Sequence, residues 1–193
     1  MQGTKHLFIL LHGHLETADI IYKKIWPLLP AGSTILAPNG MFPIPQTSPT
    51  MNILKFSWYF YDHFSKKYFI FYDRPAMFIK NLITNLKLNS YKKTIIGYSQ
   101  GGYLAPFVGE LLENVQQVIG IGCNFKYEYL KLPCNFQIDG IHGDEDKIVD
   151  FQNALASHQQ LVKHGCRGTF FEVPGAGHRL KGPLLKIIEK TIV

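Results

Sequence analysis

At 193 residues with 46% hydrophobic and 18% charged composition, the chain is long enough for one globular domain that buries about 70% of its unfolded surface without disulfide staples. The formal charge of +6 raises the question of nucleic acid, but the lysines come as scattered pairs (Lys23-Lys24, Lys66-Lys67, Lys92-Lys93) with no basic run and no recognised nucleic-acid motif. No apolar run approaches the ~20 residues of a membrane-spanning helix.

The chain begins with a nearly continuous apolar run, Thr4 to Leu11, which reads as a strand covered on both faces. The run is too short for a signal-peptide core and lacks a small-residue cleavage site, so the expectation is a cytoplasmic protein. Cys123, Cys134 and Cys166 agree with that: an odd number, without metal spacing, as for reduced thiols. The loop His12 to Glu16 follows. Thr17 is placed to cap a helix over Ala18 to Leu29, with Ile20, Ile21, Ile25 and Leu28 on one stripe. Ser33 to Ala37 is the second strand, closed by Pro38-Asn39-Gly40.

Between Pro38 and Tyr72 no single period dominates. Pro43, Pro45 and Pro49 are followed by Phe56, Trp58, Tyr59, Phe60, Tyr61 and Phe64, and this many aromatics argue against disorder. Residues 38–72 are expected to form a loop region walling a substrate pocket. Arg74 to Leu88 carries Met77, Phe78, Leu82 and Leu86 at helical spacing. Lys93 to Tyr98 is the next strand, Gln100 to Glu113 a helix with a kink expected at Pro106, and Gln117 to Gly122 and Phe136 to His142 two further strands. Phe151 to His164 is a helix, Gly168 to Val173 the last strand and Leu180 to Ile192 the last helix. Strand and helix alternate, which predicts an α/β fold: a mostly parallel sheet of about six strands with helices on both faces and chemistry at the strands' carboxyl ends.

The chemistry concentrates at Gly97-Tyr98-Ser99-Gln100-Gly101, a G-x-S-x-G pattern directly after a β-branched strand. A Ser on so tight a strand-to-helix turn leaves no room for side chains two residues before and after it, and glycine removes both clashes. Ser99 needs a base to take its proton, and the base needs a carboxylate to orient it. His178, in the Gly-rich loop after the last strand, is the expected base; His158 and His164 fall on a predicted helix. For the acid, Asp139, Asp144, Asp146 and Asp150 compete, and spacing alone does not exclude Asp144. Beside the Gln100 N–H at the head of its helix, the loop after the first strand is placed to offer the His14 N–H as a second oxyanion donor. His12 and His14 could be read as a metal pair, but no third ligand stands at a recognisable spacing, so no metal and no cofactor are expected.

The segments LHGHLE (Leu11 to Glu16), APNG (Ala37 to Gly40), FSWYFYD (Phe56 to Asp62), GYSQGG (Gly97 to Gly102), HGDEDKIV (His142 to Val149) and GAGH (Gly175 to His178) together resemble the phospholipase/carboxylesterase family of α/β-hydrolases, which includes the acyl-protein thioesterases. The resemblance implies a single α/β-hydrolase domain over 1–193, Ser99 as nucleophile, Asp146 as acid, His178 as base, His14 and Gln100 as oxyanion-hole amides, and Trp58 in the acyl-binding wall. Two positions depart from the family: His14 stands where members commonly carry Leu, and Glu16 where they carry Asp. The expected activity is hydrolysis of small-molecule or lipid esters or thioesters through an acyl-enzyme. Its rivals are a lysophospholipase or peptidase-like hydrolase, and a non-catalytic binding protein on the same scaffold.

Overall fold

The computed structural model describes residues 5–48, 51–62, 64, 65 and 67–192. Thr4, Pro49 and Lys66, which figured in the sequence reading, lie outside them. Six strands form one parallel sheet: β1 (His6–Leu11), β2 (Thr34–Leu36), β7 (Lys92–Tyr98), β8 (Val115–Ile121), β9 (Gln137–Gly143) and β10 (Phe170–Val173), in the spatial order β10-β9-β8-β7-β1-β2. The remaining four are short antiparallel pairs, β3 (Phe42–Ser48) with β4 (Met51–Ser57) and β5 (Phe60–Asp62) with β6 (Lys67–Phe69).

The continuous apolar runs of the sequence are explained by two-sided burial. In β1, Leu7, Ile9 and Leu11 point to one face, where they meet α2 (Asp73–Asn85), α3 (Gln100–Leu111) and α4 (Phe151–Lys163) through Ile79, Leu104 and Leu161. Phe8 and Leu10 point to the other, against Ile21 and Ile25 of α1 (Ala18–Ile25) and Leu184 and Ile188 of α5 (Pro183–Thr191). Helices thus cover both faces, as in an α/β-hydrolase, and each crossover returns the chain so that the β1, β7, β8, β9 and β10 loops open at one end of the sheet.

The structure corrects two expectations. Within 38–72 the described residues form two antiparallel pairs rather than an irregular loop. Pro43 and Pro45 sit in β3 opposite Phe56 and Leu54; two residues apart, both ring nitrogens lie along the edge that faces away from β4, where no ladder donor is needed. The helix α2 buries Ala76, Ile79 and Ile83, whereas Met77 and Leu86 of the expected stripe are exposed. Helix α3 is continuous through Pro106, whose ring is buried with Ala105 and Phe107.

Candidate active site

Ser99 ends β7 and begins α3 with φ 49° and ψ −117°, a left-handed conformation that side chains rarely adopt. Its neighbours leave no alternative residue type. A Cβ at Gly97 would lie 2.3 Å from the Gly101 carbonyl oxygen, and one at Gly101 would lie 2.2 Å from that of Leu11. The turn is held from outside by the Ser99 N–H, which donates to the Ile121 carbonyl at 2.8 Å, and from inside by Gly102 and Tyr103, whose N–H groups donate to the Ser99 carbonyl at 2.8 and 3.1 Å.

Ser99 Oγ lies 3.0 Å from His178 Nε2, and His178 Nδ1 lies 2.7 Å from Asp146 Oδ2. With Nδ1–H donating to a carboxylate, the Nε2 lone pair faces the serine hydroxyl. The His178 loop is fixed by Tyr98, whose phenol donates to the His178 carbonyl at 3.0 Å. Gly122 clears the space beside the imidazole, since a Cβ there would meet the ring at 3.3 Å. Asp146 Oδ1 accepts the Ile148 and Val149 N–H groups at 2.8 and 2.9 Å. Burial pushes the Asp146 carboxyl up, but the Val149 N–H, His178 and the Ile148 N–H outweigh it and hold the group below its ordinary value, as an anion.

The other aspartates have separate tasks. Asp144 Oδ1 accepts the Gly175 N–H at 2.7 Å, Asp150 caps α4 through Asn153, and buried Asp139 accepts from Gln117, Gln137 and Thr169. One partner escaped the sequence reading. His142, second to last in β9, brings Nε2 within 3.2 Å of Asp146 Oδ2 and 3.0 Å of the Val149 carbonyl. Its only sequence signal is the four-residue spacing to Asp146.

The loop after β1 is tied down at His12, Gly13, Leu15 and Glu16. The Gly13 N–H donates to Glu16 Oε2 at 2.9 Å, so the longer Glu side chain supplies the loop anchor. Leu15 and Glu16 bond to the Phe56 backbone at 3.0 and 2.9 Å. His12 donates from Nδ1 to the Gly13 carbonyl at 2.7 Å and accepts the Gly40 N–H at Nε2 at 2.9 Å, which assigns both of its nitrogens to loop structure. Gln100 plays a part the sequence did not announce: its side-chain oxygen accepts from Ser57 Oγ at 3.0 Å and from the Trp58 N–H at 2.8 Å, fastening β4 to the head of α3.

The elbow, imidazole and carboxylate form one chain of contacts, and the phospholipase/carboxylesterase family model matches residues 2–193 of the sequence. The chain belongs to the phospholipase/carboxylesterase family. Among solved structures, esterase PE8 is similar with a TM-score of 0.77 at 18% identity, covering 97% of this chain and 91% of that one. Zea mays acyl-protein thioesterase 2 gives 0.74 at 17% identity, covering 98% and 93%. Arabidopsis thaliana SOBER1 gives 0.73 at 18% identity, covering 96% of each. These similarities show the α/β-hydrolase fold. Comparison with curated proteins gives no match.

In this phospholipase/carboxylesterase family member a cleft of about 590 Å³ opens over Ser99, with Gly13, His14, Gln100 and His178 at its floor. Its walls are rich in tyrosine (Tyr59, Tyr68, Tyr72, Tyr98 and Tyr103), joined by Ile70, Ile148 and Val149, with Glu16 and Lys126 also on the lining. Burial pushes the Tyr98 and Tyr103 phenols up to about 12, so both remain neutral donors at physiological pH. Trp58 is corrected. Its side chain is fully buried, does not line the cleft, and donates its indole N–H to the His12 carbonyl at 2.9 Å. The turn between β4 and β5 presents Tyr59 to the cleft and drives Trp58 inward beneath the loop. Among the described residues no cluster of three His, Cys, Asp or Glu forms that could hold a metal ion, and no helix is long and apolar enough to cross a membrane.

Proposed function

We propose that the protein is a serine hydrolase that cleaves carboxylic esters or thioesters through an acyl-enzyme, with Ser99 as nucleophile, His178 as base and Asp146 as the orienting acid. The observation that carries this reading is the unbroken relay from Ser99 Oγ to His178 Nε2 at 3.0 Å and from His178 Nδ1 to Asp146 Oδ2 at 2.7 Å. Membership of a family of esterases supports it, as do neighbours described as an esterase and an acyl-protein thioesterase.

In this mechanism His178 takes the Ser99 proton as Oγ attacks the substrate carbonyl. The imidazolium is stabilised by the Asp146 carboxylate and then protonates the leaving alcohol or thiol. Developing negative charge on the carbonyl oxygen falls to the His14 and Gln100 N–H groups, the first on the anchored loop and the second at the N-terminus of α3, where the helix dipole adds to the hydrogen bond. Water, activated by His178, then releases the acid. The reaction needs no cofactor. The tyrosine-rich walls offer ring and apolar surface on which an acyl group packs.

The test is labelling with a fluorophosphonate probe beside turnover of p-nitrophenyl esters, acyl thioesters and lysophospholipids of graded chain length. Wild-type protein is expected to label and to turn over, and Ser99→Ala to do neither. Retention of full esterase activity by Ser99→Ala would overturn the assignment, and absence of labelling in the wild type would favour a binding protein. The panel ranks ester, thioester and lysophospholipid substrates.

A further inference from the structure

The Asp146 carboxylate receives three donors, of which the relay uses one, and a fourth N–H group stands beside it. Two backbone N–H groups hold Oδ1, and Oδ2, the oxygen that takes His178 Nδ1–H, is also approached by His142 Nε2 at 3.2 Å. The same His142 nitrogen lies 3.0 Å from the Val149 carbonyl oxygen. Both neighbours are acceptors, so Nε2 must carry a proton, which the ring donates to the Val149 carbonyl with its positive end beside the Asp146 carboxylate. The ring is 1% exposed and held by Phe151 of α4 and Phe170 of β10, the latter stacked at an interplanar angle of 17°. It cannot turn its other nitrogen toward the carboxylate without displacing these rings.

From this geometry we infer that His142 is a positioning residue for the acid: its Nε2–H, bonded to the Val149 carbonyl, stands 3.2 Å from the same Asp146 oxygen that takes His178 and thereby sets how strongly the carboxylate supports a proton on His178. The inference rests on the relay of the proposed function and assigns it a fourth member. A second N–H dipole beside the same oxygen favours its negative charge. It makes Asp146 a weaker base and reduces its hold on a His178 imidazolium. A relay tuned this way leaves the base free at lower pH and more ready to give its proton to the leaving group. Charged and titratable groups facing His142 are Asp146, Asp150 at the head of α4 and His178 itself; Phe151 and Phe170 fill the rest of its surroundings. Burial keeps the His142 imidazole below its ordinary value against the opposing pull of the Val149 carbonyl and the Asp146 and Asp150 carboxylates, so it donates as a neutral ring.

The experiment is a ring titration of the resting, isotope-labelled full chain by NMR, comparing wild type, His142→Phe and His142→Gln, with kcat/KM against pH measured alongside. His142→Phe removes the donor and keeps the volume between the two phenylalanines. It should raise the proton-uptake midpoint of the His178 ring, and the acidic limb of kcat/KM, by about half to one unit, a roughly three- to tenfold gain in proton affinity. His142→Gln, whose amide N–H reaches toward the same oxygen, should stay close to wild type. An unchanged midpoint in His142→Phe, or the same displacement in both variants, would overturn the inference and leave His142 a packing residue. If His142→Phe does not fold, the nitrogen shifts of the unmodified protein still decide: His142 must show Nε2–H and a bare Nδ1 from pH 8 to 5, and the opposite tautomer would exclude a donor to Asp146. The ring titration needs no turnover, so failure of Ser99→Ala to abolish activity would strike the proposed function and not this result.

Discussion

Four aspartates stand between Asp139 and Asp150, and their partners sort them. Asp146 alone among them meets an imidazole; Asp144, two residues earlier, spends its carboxylate on the Gly175 N–H. Asp146→Asn should therefore lower kcat by about 10⁴, because an amide favours the wrong tautomer of His178, while Asp144→Asn, which keeps an accepting oxygen for Gly175, should cost only a few-fold. Parallel turnover of the two variants checks it, and equal losses would reverse the assignment. Sequence spacing could not make this choice. Both residues follow the same glycine, and both carboxylates reach the loop after β10; what separates them is a turn that brings one to the His178 ring and the other to the Gly175 N–H. Trp58 shows the opposite failure: an aromatic in a run of aromatics carries no mark of which way it faces, and only the bond to the His12 carbonyl reveals it as a prop beneath the loop.

The sheet strands and helices were legible because burial on two faces writes itself as unbroken apolar runs, and because Gly97 and Gly101 can be no other residue in so close a turn. The face of α2 was not: Met77, Phe78, Leu82 and Leu86 and Ala76, Ile79 and Ile83 both follow helical spacing, and the small Ala76 is on the face that packs against α3. Pairing in β3 was hidden by its prolines, which normally argue against a strand. At this scale the least expected connector is the Gln100 side chain, which ties α3 to the turn bearing Trp58 and Tyr59. Gln100→Ala removes the acceptor of the buried Trp58 N–H, while the Ser57 hydroxyl keeps the Tyr59 carbonyl, and should destabilise the protein by about 1–3 kcal/mol in urea unfolding. Because the Gln100 N–H is untouched, fluorophosphonate labelling should slow without vanishing. A variant as stable as wild type would show that the tie between the elements is dispensable.

Over the whole molecule, the buried histidines share a protonation requirement. His12, His142 and His158 are all inside, and burial holds each below its ordinary value. In the unfolded chain their imidazoles charge below about pH 6.5; in the folded protein they resist. The unfolded state therefore binds more protons in that window, so stability rises with pH and is lost on acidification. The sign is the same for Asp146, whose depressed carboxyl adds its own loss at still lower pH. His12 makes the consequence structural. Its Nε2 is the acceptor for Gly40, and a proton there would set two donors against each other beneath the loop that bears His14. The urea midpoint should fall between pH 7.5 and 5.5, each unit of depression in a buried imidazole contributing up to ~1.4 kcal/mol once both states have titrated. His158 donates to the Ile138 carbonyl at 2.9 Å, remote from the relay, so His158→Gln should reduce the pH slope while leaving labelling of Ser99 intact. A midpoint unchanged across the window would mean that these rings titrate alike in the folded and unfolded chain, against the burial that surrounds them.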